Sequence, residues 1–171
     1  MQATPNVQQF LNLIDRLSDA VGASVPPIVN LERLRSLPSG TFGRAWADSL
    51  DRNNLTPLAG LRRKQLHDGI HVLTGYGTDP LGEAEVQAFL LGAKFRLTHI
   101  VLGLGLWRPI RRQLAHQADL TSEQARTRLW QAYQRGYQSG FDVDTWQPEL
   151  LWALPLEQVQ ALAGLQQFSN R

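Results

Sequence analysis

Apolar residues recur at helical spacing along this chain, and no segment shows sustained alternation of apolar and polar residues. A half-buried strand repeats every second residue, whereas one face of a helix repeats every third or fourth. The sequence therefore predicts an all-α fold. The chain has 171 residues and contains no internal repeat or linker, so we expect a single compact multi-helix domain over residues 1–171. The first predicted helix carries its apolar face at Val7, Phe10, Leu11, Ile14 and Leu17.

Capping residues and prolines divide the first half of the chain into successive helices. Asn30 is a suitable cap for a short helix through Leu37, and a second helix is expected from about Thr41 to Arg52. Thr56-Pro57 repeats a cap followed by proline, which predicts a helix from there to about Thr74. The segment GYGT ends that helix, and Asp79-Pro80 then begins another that should reach about Leu97.

Capping residues and prolines divide the second half of the chain in the same way. We expect a helical segment from Thr98 to about Ala118 with a kink near Pro109. Thr121 and Gln124 form a capping-box pattern for a helix to about Gly140. The segment FDVDTWQPELLW then predicts an irregular or short helical connection, and Pro155 should begin the last helix.

Chemistry-bearing residues cluster in LHDGIHVLTGYGTDPLGEAE, residues 66–85. His67 and His71 lie one helical turn apart, so both imidazoles can face one ion. Asp68 lies about 100° round the helix and could ligate, orient a histidine or act as a base. Glu83 opens the following helix, which a hairpin would bring back beside His71. Such a mixed N/O set suits zinc, iron or manganese better than magnesium; the other interpretation is a hydrogen-bonded structural cluster.

The pattern His67-Asp68-x-x-His71 followed by Glu83 resembles the motif of the Coq-four family of coenzyme Q (ubiquinone) biosynthesis proteins. The resemblance includes LRSLPSGTFGRAWADSL (residues 34–50) with the N-x-L-T-P that follows it, Gly82-Glu83, and FDVDTWQPELLWALPLEQV (residues 141–159). These blocks cover most of residues 30–160 in family order. The lead into the histidines departs from the family's Arg-Glu-Cys-like pattern, because residues 62–66 are RRKQL.

The resemblance implies an all-α fold and a divalent metal, zinc in the first place, held by His67, Asp68, His71 and Glu83; magnesium, iron and manganese are the alternatives. It also implies binding of a polyprenyl lipid or prenylated quinone precursor, peripheral membrane association, a homodimer, and contact with other quinone-biosynthesis proteins. The implied activity is assistance in oxidative decarboxylation of the ring, in which Asp68 and Glu83 are the candidate catalytic residues that move protons.

A prenyl chain needs an apolar cavity, and the apolar residues after Glu83 exceed what one face of a helix requires. Tight helix packing explains the same residues equally well. The residues that we assign to lipid binding are Phe89, Leu90, Phe95, Leu102 and Trp107.

Composition excludes several classes of protein. The chain has no cysteine, which rules out disulfides, thiolate metal ligands and a cysteine nucleophile. Its net charge is +2, so nothing in the balance requires nucleic acid as a partner. No signal-peptide pattern is present at the N-terminus, and the apolar run IVLGLGLW is shorter than the ~20 residues of a membrane span. We expect a cytoplasmic protein, peripheral on the inner face of a membrane.

Three functions fit these residues. The first is a metal-dependent enzyme acting on a prenylated aromatic acid. The second is a non-catalytic scaffold that binds a prenyl lipid within a quinone-biosynthetic complex and uses its metal structurally. A metal-dependent hydrolase is the third and is disfavoured, because Asp68 is one methylene shorter than the glutamate that serves as the base in His-Glu-x-x-His hydrolases.

Overall fold

The structure is a computed structural model that describes residues 24–94 and 121–165. Within these ranges the chain is mostly helical, with one short β-ribbon, so the all-α prediction is confirmed. The elements are β1 (Ser24–Val25), α1 (Leu31–Arg35), α2 (Phe42–Arg52), β2 (Gly60–Leu61), α3 (Arg62–Gln65), α4 (His67–Thr74), α5 (Pro80–Ala93), α6 (Ser122–Gln138), a 3₁₀ turn (Pro148–Leu150) and α7 (Leu156–Leu162).

Side-chain caps start the helices where the sequence places them. Asn30 accepts a hydrogen bond from the backbone N–H of Arg33 at the start of α1, and Thr41 accepts one from Arg44 at the start of α2. Thr121 and Gln124 form the predicted reciprocal capping box of α6. These caps satisfy backbone N–H groups that have no partner within their own helix. The four predicted helix starts at Asn30, Thr41, Asp79 and Thr121 are thus confirmed.

The predicted helix from Thr56 is wrong at its beginning. Residues 55–59 have no regular structure, and helix begins only at Arg62, with a break at Leu66 between α3 and α4. The physical reason is strand pairing: Gly60 and Leu61 pair with β1, so their backbone groups serve a ribbon in place of a helix. The proline after Thr56 therefore precedes an extended segment.

The side chain of Gln65 fastens this ribbon to the start of the histidine-bearing helix. Gln65 is almost completely buried, at 1% exposure. Its Nε2 donates to the carbonyl oxygens of Val25 (3.1 Å) and Gly60 (3.0 Å), and its Oε1 accepts from the N–H of Ile28 at 2.8 Å. Buried backbone groups need such partners, so one amide side chain fixes three backbone groups from two chain segments beside α4.

Helix α4 packs directly on α2 through Gly69. A Cβ at Gly69 would overlap the ring of Trp46, which is itself buried in the core. Because residue 69 has no side chain, the indole of Trp46 can lie against the backbone of α4 at this position. On the other side of α2, Phe42 N–H donates to the carbonyl of Leu154 at 2.8 Å, which ties the segment before α7 to the same core.

Helices α5 and α6 touch backbone to backbone at two glycines. A Cβ at Gly136 would overlap the carbonyl oxygen of Phe89, and a Cβ at Gly92 would overlap the carbonyl oxygen of Tyr133. Glycine at both positions therefore permits a helix–helix approach that no larger residue allows. The glycine contact sets the distance of α6 from the helix that carries Glu83.

Some predicted boundaries differ from the structure, and others cannot be compared with it. Helix α5 ends at Ala93 and not near Leu97, because Lys94 has extended backbone angles and its amine forms ion pairs with Asp142 (2.6 Å) and Asp144 (3.0 Å). The segment FDVDTWQPELLW forms turns and the 3₁₀ turn, as predicted. The helices predicted at residues 7–17 and 98–118 lie outside the described residues.

We predict that Gly136→Ala lowers the free energy of unfolding by about 1–3 kcal/mol, because the added methyl forces two helix backbones apart. Urea denaturation followed by circular dichroism measures the change. Gly140→Ala is the matched control, because a Cβ at Gly140 meets nothing within 4 Å, and its effect should stay within about 0.5 kcal/mol. Equal stability of the two variants would contradict the close contact between α5 and α6.

Candidate functional site: a histidine and glutamate cluster

The two histidines lie on one face of α4, as their spacing predicts. Their imidazole rings are 4.7 Å apart between centroids and meet edge to face. Both Nε2 atoms point into the same space, 3.2 Å from each other. Two imidazole nitrogens at this distance must share a proton or a metal ion, since two bare lone pairs repel.

A short reversal of the chain brings a carboxylate to these nitrogens. Gly75 ends α4 in the left-handed region at φ 79°, and its N–H donates to the carbonyl of His71 at 2.8 Å. The side chain of Asp79 then caps α5 by accepting from the N–H groups of Leu81 and Gly82. A Cβ at Gly82 would overlap the carbonyl of Gly77, so the loop lies tightly against the start of α5. Glu83 therefore returns beside α4 in the first turn of α5.

Three side chains converge at the open end of this hairpin. Glu83 Oε2 lies 3.1 Å from His67 Nε2, and Glu83 Oε1 lies 3.3 Å from His71 Nε2. Nitrogen and oxygen donors about 2.0–2.1 Å from one tetrahedral zinc are about 3.3–3.4 Å apart, and neighbouring donors in an octahedron are about 3.0 Å apart. The spacing of His67, His71 and Glu83 thus fits a shared metal ion of either geometry, and these three residues form a group that could hold one.

A backbone carbonyl fixes the orientation of the His71 ring. His71 Nδ1 lies 3.2 Å from the carbonyl oxygen of Tyr76. A carbonyl can only accept, so Nδ1 carries the proton and donates it there. In the neutral ring, the lone pair is then on Nε2, which faces His67 and Glu83. Metal-binding histidines are held in this manner by an acceptor on their other nitrogen.

The cluster is electrostatically coupled. Burial favours the neutral form of Glu83, but hydrogen bonds from His67 and His71 outweigh it and lower the pKa of Glu83 from 4.5 to about 2. Burial likewise disfavours the charged form of His71, yet its hydrogen bond with Glu83 prevails and raises the pKa of His71. The glutamate is thus ionised over the whole neutral range and available as an anionic ligand.

The cluster opens to one side. The His71 side chain is only 4% exposed, whereas those of His67 and Glu83 are 29% and 28% exposed. A ligand can therefore approach from the side of His67 and Glu83. A cleft of about 350 Å³ between α2 and the loop is lined by His71 and Tyr76 but not by His67 or Glu83.

Asp68 lies beside the three-residue group without belonging to it. Its carboxyl is half-buried, and burial raises its pKa, although the nearby positive charges of His67 and His71 oppose the shift. The group of three that could hold a metal does not include Asp68. The role of Asp68 as a fourth ligand stays a prediction.

The chain is similar to known proteins in both sequence and structure. No protein-family model matches the chain. Three curated relatives carry the name "Ubiquinone biosynthesis protein COQ4 homolog, mitochondrial". The one from Xenopus tropicalis is 34% identical and the alignment covers 36% of this chain and 27% of the relative; the one from Bos taurus is 37% identical, with 36% and 29% covered. The third, from Danio rerio, is 31% identical, with 60% and 46% covered.

These alignments confirm the resemblance stated from the motifs. The chain is similar to the Coq-four proteins over 36% to 60% of its length. It spans between about a quarter and a half of the length of the relatives it matches, 27% for Xenopus tropicalis and 46% for Danio rerio. A crystal structure from Nostoc punctiforme PCC 73102, of a candidate ubiquinone biosynthesis protein, superposes with a TM-score of 0.68 over 90% of this chain and 75% of that one. At 19% identity that likeness supports the shared fold.

Only some of the residues predicted for lipid binding lie in the described part of the chain. Phe89 is fully buried and packs against Phe141 at 5.7 Å between ring centroids, and Leu90 is 6% exposed. Both therefore contribute to the core, and the cleft beside His71 is not lined by either of them. Phe95, Leu102 and Trp107 lie outside the described residues. The lipid cavity stays a prediction. In residues 24–94 and 121–165, every helix is too short or too polar to cross a bilayer.

Sequence reasoning missed the residues that support the cluster from a distance. Gln65 holds the start of α4, and Arg135 donates from Nη1 to the carbonyl of Thr74 at the end of α4, at 2.6 Å. The partners are separated in the chain by up to 61 residues, so no local spacing signals them.

We predict a specific pH dependence for the metal-free protein. Because the folded pKa of Glu83 is below its ordinary value, its ionised form stabilises the fold above about pH 4.5, and this contribution is lost as the pH falls toward 2. The size of this pKa shift limits the contribution of ionised Glu83 to the free energy of unfolding to about 3 kcal/mol. Because the pKa of His71 is raised, the contribution of its charged form is present below about pH 6.5 and lost at higher pH.

Glu83→Gln should therefore be less stable than wild type between about pH 4.5 and 6.5, with a difference that narrows toward pH 3 and again above the raised pKa of His71. Urea unfolding in the presence of a chelator measures this profile. A stability difference that is constant from pH 3 to pH 8 would contradict the proposed ion pairs.

Proposed function

We propose that this chain is a metal-dependent protein of ubiquinone biosynthesis that binds a prenylated aromatic acid and assists the oxidative decarboxylation of its ring. The observation that carries the proposal is the convergence of His67, His71 and Glu83 in a chain related to the Coq-four proteins. Zinc is the first candidate, and iron and manganese suit the same two-histidine, one-carboxylate set. Magnesium prefers more oxygen ligands.

The chain's own residues have distinct parts in this proposal. His67, His71 and Glu83 hold the metal, and the Tyr76 carbonyl keeps His71 in the tautomer that can bind it. When bound, a divalent metal supplies a Lewis acid toward a phenolate or carboxylate. Three protein ligands would leave one position of a four-coordinate zinc free, as an enzyme needs, whereas Asp68 as a fourth ligand would close the site as in a structural centre.

The proposed reaction exchanges a ring carboxyl group for a hydroxyl group. The carbon–carbon bond to the carboxyl breaks and carbon dioxide leaves, while a carbon–oxygen bond forms at the same ring carbon. With dioxygen as oxidant, one oxygen atom enters the ring and the other leaves as water, which requires two electrons and two protons from a reductant. A partner protein or a small reductant must supply these electrons.

Asp68 and Glu83 are the carboxylates that we propose for proton transfer. Asp68 is the stronger candidate, because it lies next to the donor group and outside it. Glu83 is engaged by both histidines and can move a proton only while it is not fully occupied by the metal.

Substrate and location belong to the same proposal. The apolar residues of the sequence around Phe95, Leu102 and Trp107 support binding of a polyprenyl chain, and such a substrate places the protein at a membrane surface. The matched relatives are named mitochondrial. For this chain we propose a cytoplasmic protein that is peripheral on the inner face of a membrane. A homodimer and contacts with other quinone-biosynthesis proteins complete the proposal.

A test needs metal content and activity on the same samples. We predict about one equivalent of transition metal in protein purified without an affinity tag, lost in His71→Ala and Glu83→Gln. Release of labelled carbon dioxide from a carboxyl-labelled prenylated hydroxybenzoate, with dioxygen and a reductant present, should fall at least about 100-fold in both variants. Glu157→Gln, an exposed glutamate on α7, is the matched control and should retain both properties.

Two results would overturn parts of the proposal. Metal that is retained in full by Glu83→Gln would remove the three-residue site. Wild-type protein that binds metal and prenylated acid but releases no carbon dioxide would exclude the decarboxylase, and would leave the scaffold as the function of the cluster.

A further inference from the structure

The orientation of His71 depends on the position of one carbonyl group. Tyr76, whose carbonyl oxygen accepts from His71 Nδ1, belongs to the loop between α4 and α5 and not to a helix. If that carbonyl moves away, Nδ1 loses its acceptor and the ring can take the other tautomer, in which Nε2 carries the hydrogen. A neutral imidazole in that tautomer presents no lone pair to a metal at Nε2.

Arg135 contacts the beginning of this loop at two points. Its Nη1 donates to the carbonyl of Thr74, the last residue of α4, at 2.6 Å. Its guanidinium carbon lies 5.5 Å from the centre of the Tyr76 ring, within the range of a cation–π contact. A cation also interacts favourably with the partial negative charge at the C-terminus of a helix. One guanidinium therefore fixes the end of α4 and the residue that supplies the carbonyl.

Helix α6, which carries Arg135, is held against α5 at two points. The next residue, Gly136, is in direct backbone contact with Phe89 of α5. Nearer the start of α6, Arg128 forms a two-bond ion pair with Glu85, at 2.8 and 2.6 Å, and the Glu85 side chain is 5% exposed. Glu85 is two residues after Glu83. Helix α6 is thus attached to both arms of the hairpin that carries the donor atoms.

We propose that Arg135 is a positioning residue of the cluster: through Thr74 and the Tyr76 ring it holds the Tyr76 carbonyl against His71 Nδ1 and so keeps His71 Nε2 directed at His67 and Glu83. The proposal rests on the metal site of the proposed function. Arg135 acts on that site through Thr74 and Tyr76. The proposal assigns Arg135 an effect on metal affinity beyond its contribution to the stability of the fold.

The test compares three variants of the full chain on α6. Arg135→Ala removes both contacts, and Arg135→Lys keeps a cation but loses the planar group that stacks on Tyr76. Arg126→Ala is the matched control, because it deletes an exposed arginine from the same helix. Circular dichroism and thermal unfolding report the fold of each variant. Proton–nitrogen correlation spectra of the ¹⁵N-labelled, metal-free protein, recorded at alkaline pH where the ring is neutral, report the tautomer of His71. Chelator competition measures the affinity for Zn²⁺ added alone.

We expect Arg135→Ala to keep its helical content but to show a mixture of His71 tautomers and an affinity for Zn²⁺ about tenfold weaker. Arg135→Lys should lie between this variant and wild type. Arg126→Ala should match wild type in both measurements.

Retention of the single Nδ1–H tautomer and of wild-type affinity in folded Arg135→Ala would overturn the proposal. If Arg135→Ala does not fold, Arg135→Lys decides: an unchanged tautomer and affinity would show that Arg135 serves the fold alone. A wild-type protein that takes up no Zn²⁺ would refute the proposed function, while the tautomer comparison would still decide whether Arg135 positions His71.

Discussion

The structure depends on one constraint, which is that five loop residues must return Glu83 to two histidines on the preceding helix. The left-handed Gly75, the cap at Asp79 and the close contact at Gly82 each serve this reversal. A looser loop would leave two partly buried imidazoles without a carboxylate. Because unpaired buried polar groups are unfavourable, the cluster and the loop geometry stabilise each other.

The surroundings of the hairpin limit its movement. Gln65 holds the start of α4 through the β-ribbon, Trp46 packs on its middle at Gly69, and Arg135 donates to its end. These contacts come from three different parts of the chain. A preorganised site needs supporting residues of this kind, since donor atoms displaced by about 1 Å no longer share one ion. The helix that carries the histidines is thus fixed at its start, centre and end.

Local signals in the sequence predicted the convergence of His67, His71 and Glu83 and much of the fold. The spacing of His67 and His71 on one helix face, and the Asp79-Pro80 start that returns Glu83, both follow from interactions within one or two turns. Thr56-Pro57 has the same local signal as a helix start, yet pairing of Gly60 and Leu61 with a strand 36 residues earlier prevails. Contacts of this range leave no periodic trace in the sequence.

The supporting residues could not be predicted for the same reason. Gln65 and Arg135 are ordinary polar residues in helical segments, and their importance arises from partners brought close only by folding. Likewise, spacing alone leaves open whether Asp68 joins the group of His67, His71 and Glu83, because it lies at the border of their helix face.

The most direct test of the central claim is anomalous diffraction from crystals of the untagged protein at the absorption edges of zinc, iron and manganese. A single peak about 2.0–2.2 Å from His67 Nε2, His71 Nε2 and a carboxylate oxygen of Glu83 is the predicted result, and the edge at which it appears identifies the metal. If the protein in the crystal contains a full equivalent of metal and the anomalous peak lies away from these three atoms, the account is contradicted.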